Sequence, residues 1–133
     1  MTEGLQCIEW FYRLASKGAS LRSSDLCDYE VRRELVRINS TSIEILDELR
    51  DYIEFETVTP IVLQVAAQIW AERRGVGQPN TALENIDIDC ILAAHWTVLK
   101  RQSPGRQVII ATKNIQDFQQ MADCAPWQDI HYP

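Results

Sequence analysis

Residues 108–118 read Val108-Ile109-Ile110-Ala111-Thr112-Lys113-Asn114-Ile115-Gln116-Asp117-Phe118. Four apolar residues in unbroken succession predict a strand buried on both faces, because only a strand covered above and below has no side left for polar residues. Polar residues begin directly after Ala111. Asn114 and Asp117, three apart, predict the start of a short helix with an imperfect capping box. A doubly covered strand running into a helix is a unit of α/β architecture.

The flanking segments extend the same alternation. Segment 5–17 places Leu5, Ile8, Trp10, Phe11 and Leu14 mostly at helical spacing, with Gly18 where a helix C-cap falls. An extended piece from Ser20 to Ser23 leads into Ser24-Asp25, a good N-cap pair. The helix after it, over about 25–39, is expected to turn Leu26, Val31, Leu35 and Ile38 inward. Ser40-Thr41-Ser42 interrupts, and Ile43, Leu46, Leu49 and Ile53 mark a further helix ending near Tyr52. Ile53 to Thr57 alternates apolar and polar, as a half-buried strand does. Thr59-Pro60 is a cap followed by proline at the first helical position. That helix holds Ile61, Val65, Ile69 and Trp70 and runs to about Arg74, before a loop over 75–80. An apolar helix is expected from about Asp87 to Arg101, then a turn at Ser103-Pro104-Gly105, and a last strand near Gln128–Ile130. The expectation is one α/β domain over residues 1–133, a parallel sheet with helices on both faces.

Composition bounds the function. With 133 residues, 46% hydrophobic and 24% charged, the chain has ordinary globular usage and enough length for one core. No stretch approaches a membrane span, and MTEGLQCIEW lacks the basic-then-apolar order of a secretory signal. Cys7, Cys27, Cys90 and Cys124 have no CxxC spacing, so free thiols in a reducing cytoplasm are expected. A net charge of −6 argues against a general nucleic-acid coat, whose affinity comes from many phosphate contacts. It does not exclude a nuclease, which concentrates carboxylates in one metal site.

Open parallel sheets bind ligands at the carboxyl ends of their strands. Three acids fall there. Glu30 lies one to two turns into the helix after the first visible strand. Glu34 shares its face and Arg33 lies beside it, so a solvated, salt-bridged helix accounts for the segment equally well. Asp87 and Asp89 open the apolar helix. Asp87 reads as its N-cap and Asp89 as the site acid at its buried entrance, with Asp87 a secondary candidate. Asp117 follows the strand at 108–111, beside Thr112 and Asn114. Together, Glu30, Asp89 and Asp117 form an oxygen-only donor set suited to Mg2+ or Mn2+. His95 and His131 read as packed or surface residues. The arginines Arg32, Arg33, Arg37, Arg73 and Arg74 read as an RNA path or a solvated face.

The order Ser24…Glu30, then Asp89-Cys90-Ile91-Leu92-Ala93-Ala94, then Thr112-Lys113-Asn114-Ile115-Gln116-Asp117-Phe118 resembles the PIN-domain family, and DYEVRREL at 28–35 is similar to its VapC-like toxin subgroup. The resemblance covers essentially the whole chain. It implies a three-layer fold and a divalent-metal-dependent endoribonuclease, with Glu30, Asp89 and Asp117 as catalytic and metal-site acids and Thr112 and Asn114 as polar residues of the site. It also implies RNA as substrate, an antitoxin protein as possible partner, and a homodimer, in which Trp10 and Phe11 are candidates for the interface. The family opens with a strand ending in a metal-site Asp, and no such Asp precedes Leu5. The implied consequence is a sheet lacking its first strand, through a truncated reading frame, with the gap closed by sheet rearrangement, or with completion by another chain, and weak or absent nuclease activity. The alternative is a non-catalytic PIN-like interaction module.

Overall fold

The computed structural model describes residues 2–75 and 83–132, with backbone alone at Gly4, Gly75 and 83–87. Helix α1 (Glu3–Ser16) opens on Thr2, whose hydroxyl accepts the Leu5 N–H at 3.3 Å. It closes on Gly18 at φ 87°, a left-handed backbone that glycine adopts without a Cβ clash. Ala19 N–H then returns to the Leu14 carbonyl and Gly18 N–H to that of Ala15, satisfying acceptors the helix end leaves open. Strand β1 (Arg22–Ser24) ends on Ser24, which also caps α2 (Asp25–Arg37) by accepting the Leu26 N–H at 3.2 Å. Asn39 at φ 54° ends α2 as Gly18 ends α1: Ser40 N–H bonds the Leu35 carbonyl and Asn39 N–H that of Val36.

Helix α3 (Ile43–Leu49) leads to β2 (Glu54–Glu56), then α4 (Pro60–Gly75) and α5 (Leu83–Gln102). Thr59 caps α4, its hydroxyl accepting the Val62 N–H at 3.3 Å. Strand β3 (Ile110–Ala111), helix α6 (Ile115–Phe118), strand β4 (Cys124–Ala125) and a 3-10 turn over Trp127–Asp129 complete the chain.

The fold is mixed α/β, mainly helical, with parallel pairing throughout the described strands. Those strands form two separate two-stranded sheets rather than one: β1 pairs with β2, with Ser23 opposite Phe55, and β3 pairs with β4, with Ile110 opposite Cys124. Helix α5 touches the strand segments of both. His95 Nε2 lies 3.2 Å from the Ser24 hydroxyl at the end of β1, and Trp96 Nε1 donates to the Val108 carbonyl at 2.7 Å, just before β3. The core sits between α4 and α5, where Val62, Val65, Ala66 and Ala94 are buried and Val58, Ile69, Ile91 and Val98 pack around them. No helix among the described residues is long and apolar enough to cross a membrane.

Several expectations need correction. The strand expected at 108–111 is two residues long and not doubly buried, since Ala111 is exposed. Its first half is lost because the Val108 carbonyl is taken by the Trp96 indole instead of a neighbouring strand. The last strand lies at Cys124–Ala125, not 128–130. There the chain turns into the 3-10 segment, and the Ile130 carbonyl accepts from Trp10 Nε1 at 2.8 Å. Helix α5 begins four residues before Asp87, so Asp87 is inside the helix rather than its N-cap. Val31 and Ile38 are exposed, as is Ile61; the buried stripe of α4 is 62, 65 and 66. Trp10 and Phe11 are partly buried, Trp10 packing on Trp127 at 5.8 Å, and the outward apolar residues of α1 are Leu5, Ile8 and Tyr12.

Candidate functional site

The three predicted acids ride on three helices. Glu30 occupies the second turn of α2, Asp89 the second turn of α5, and Asp117 lies in α6. Each is partly buried. Helix α6 forms because β3 releases the chain into a tight turn: the Thr112 hydroxyl accepts the Asn114 N–H at 3.0 Å, and Asp117 N–H bonds the Asn114 carbonyl. Thr112 is thus spent on local geometry. The Asn114 side chain, exposed at the start of α6, makes no capping bond. The side chain of Asp87 lies outside the described residues.

Electrostatics ties the acids together. Burial pushes the Asp89 carboxyl up to about 6; the Asp117 charge pushes the same way, Arg73 opposes it, and Glu30 adds a smaller upward push. Asp89 is thus the acid on which the charges of Asp117 and Glu30 both act. The acids do not converge into a tight cage, since no three potential metal ligands surround one point among the described residues. Two surface depressions lie along α1, one lined by Tyr12 and Arg13, the other by Trp10, Lys17 and Tyr132; neither includes an acid of the cluster.

Arg73 is the residue that sequence reasoning placed wrongly. It was expected on an RNA path or a solvated face, and it is 8% exposed. From the last turn of α4 its Nη1 donates to the Asp117 carbonyl at 2.7 Å, while its Nε is buried with no acceptor. The only hint in the sequence was its place at the end of a helix that packs on α5. Other arginines are committed elsewhere. Arg32 forks onto Asp28 at 2.9 and 3.1 Å and reaches Asp47, Arg37 pairs with Glu34, and Arg33 and Arg74 lie over Tyr29 and Trp70.

A second buried polar pair joins β1 to α5. Ser24 and His95 are 2% and 7% exposed and face each other. Burial holds His95 below its ordinary range, with Glu56 and Asp25 pulling back weakly. The Ser24 hydroxyl already caps α2, so this pair fastens elements rather than serving a nucleophile. His131, in contrast, is exposed.

Comparison with known protein families, curated proteins and solved structures finds no match to this chain.

Proposed function

We propose that this chain is a PIN-like, divalent-metal-dependent ribonuclease of the VapC toxin type whose site is weak. The observation that carries the reading is that the half-buried Asp89 carboxyl is pushed upward by the charges of both Asp117 and Glu30, acids up to 87 positions apart in the chain. The donor set fits Mg2+ or Mn2+ in kind: carboxylate oxygens alone, mutually repelling, in a site where a cation relieves the repulsion. Mg2+ keeps several waters and needs only one or two direct carboxylates, which suits acids that influence one another electrostatically without forming a cage. When bound, such a cation activates water and offsets charge on a phosphodiester. Glu30, Asp89 and Asp117 would hold it, and Asn114 is exposed at the rim for polar contact with RNA. That no three ligating side chains come together among the described residues is the reason to expect impaired catalysis.

Titration of the protein with Mn2+ by calorimetry, alongside a cleavage assay on single-stranded RNA, tests this. Weak binding that Glu30→Gln abolishes, with slow or no cleavage, is the expected result. Absence of any Mn2+ binding removes the ribonuclease reading, and vigorous cleavage removes the impairment.

A second reading, a non-catalytic module that dimerises or binds an antitoxin-like helix, is favoured by a different observation. On α1, Leu5, Ile8 and Tyr12 share one helix face and are 54%, 52% and 59% exposed. Both readings take a cytoplasmic setting and a homodimer.

A further inference from the structure

Arg73 is an unusual cation for its depth. A guanidinium is rarely this buried unless paired, because removing its charge from water is costly. Arg73 makes no ion pair among the described residues. Its Nη1 is given to a neutral backbone carbonyl, that of Asp117, at 2.7 Å. Its Nε is out of contact with water and has no acceptor, an omission that costs on the order of 1–3 kcal/mol in a buried donor. Among the described residues, then, no salt bridge accounts for the burial. What the arrangement achieves is mechanical: the last turn of α4 reaches across and grips α6 at the residue that carries a site acid.

We infer that Arg73 is the positioning residue of the acid cluster, a clamp that fixes Asp117 beside Asp89 through the Asp117 backbone carbonyl. The inference rests on the ribonuclease reading and deepens it. Helix α6 is only four residues long and has no side-chain cap at its start, so its placement depends on outside anchors. Phe118, 4% exposed, anchors one side of that turn by packing, and Arg73 anchors the carbonyl just before it. Its charge also opposes the upward push on Asp89, while Glu30, Asp89 and Asp117 are not ion-paired to it among the described residues.

Clamp and counter-charge make opposite predictions. If Arg73 acted only through its charge, removing it would draw Mn2+ in more tightly, because a positive neighbour of the cation would be gone. If it acts as a clamp, removing it lets Asp117 drift and Mn2+ binding weakens, by roughly 10-fold or more as for other residues that orient metal ligands. The experiment is calorimetric Mn2+ titration of the full chain carrying Arg73→Met or Arg73→Lys, with thermal unfolding recorded on each. The expected order of affinity is unsubstituted chain, then Lys, then Met, the lysine restoring part of the loss because it keeps one donor and the charge. Met binding as tightly as or more tightly than the unsubstituted chain overturns the clamp, as does equal loss in both variants. Should the Met variant fail to unfold cooperatively, Lys alone decides: at least threefold weaker binding supports the clamp, and unchanged binding overturns it. If the unsubstituted chain takes up no Mn2+, the ribonuclease reading fails and takes the clamp with it, a result distinct from every variant outcome.

Discussion

Asp89 carries a strain that a single substitution can relieve. Its carboxyl is pushed up to about 6 by burial and by Asp117, so ionising it in the folded chain is costly. In a fully buried acid that displacement would correspond to about 3 kcal/mol. Asp89 is only half-buried, and solvent screening reduces the figure to about 1 kcal/mol. Replacing Asp89 by Asn should therefore stabilise the fold at pH 7, raising the melting temperature by about 4 °C. The sign with pH follows from the raised value. The unstrained, protonated form is present below the unfolded value of 3.8, and its advantage is lost as pH rises through about 6. The gap between the Asn variant and the unsubstituted chain should accordingly shrink as pH falls from 7 to 4. Circular-dichroism melts across that range would reveal it; a constant gap would mean that Asp89 is not strained by its neighbours.

The sequence singles out Glu30, Asp89 and Asp117; all three stand within helices rather than at strand ends, and Asp89 is the one whose carboxyl feels the other two charges. Arg73 is not legible there, because nothing in Glu72-Arg73-Arg74 distinguishes the arginine that turns inward from the one that lies over Trp70. That choice is made by the rotation of α4 on α5. A shift of one position decides it: the periodicity marks Ile61, Val65, Ile69 and Trp70, whereas Val62, Val65 and Ala66 are the residues buried.

At the scale of elements, two joints set stability. Helices α2 and α3 are held by charge: Asp28, buried in α2, takes both arms of Arg32, which also bonds Asp47 of α3 at 2.8 Å, and Arg50 bonds Asp25 at 2.9 Å. The Arg32 hydrogen bonds, with its charge and that of Arg50, hold the Asp28 carboxyl below the usual range, so its contribution is present above 3.8 and is lost as pH falls below it. Asp28→Ala should cost about 2 kcal/mol, the loss of charge-assisted bonds to a partly buried arginine, and chemical denaturation at pH 7 measures it. Helices α4 and α5 are held by shape instead. Ala93 and Ala94 are 0% exposed, so the backbones approach closely. Ala94→Leu should overpack this joint and cost about 1–3 kcal/mol, whereas Ala67→Leu on the exposed side of α4 should be neutral. A tolerated Ala94→Leu would show that the two helices are not tightly joined there. Helix positions were readable from periodicity and caps, Thr59-Pro60 and Ser24 above all. Strand lengths were not, because two tryptophan indoles, Trp96 and Trp10, claim the carbonyls of Val108 and Ile130 over long range. No local pattern announces such a bond.

Over the whole molecule, large apolar side chains remain on the described surface. The apolar part of that surface is not scattered at random. On α1, Leu5, Ile8 and Tyr12 fall at i, i+3 and i+7, one face of a helix, and are 54%, 52% and 59% exposed. The other face of the same helix is fastened by Leu14 and by Trp10 to the 3-10 segment, so α1 presents its stripe outward from a fixed mount. A second copy of the chain is the simplest cover, since two such stripes are self-complementary across a two-fold axis. Sedimentation equilibrium at tens of micromolar should then give a mass near twice 15.3 kDa, and melting temperature should rise with concentration. Ile8→Glu should return the chain to a monomer and remove the concentration dependence. Because Ile8 makes no part of the buried core, that variant should still unfold cooperatively. A monomeric mass at every concentration, with Ile8→Glu indistinguishable, would leave α1 without a role in self-association.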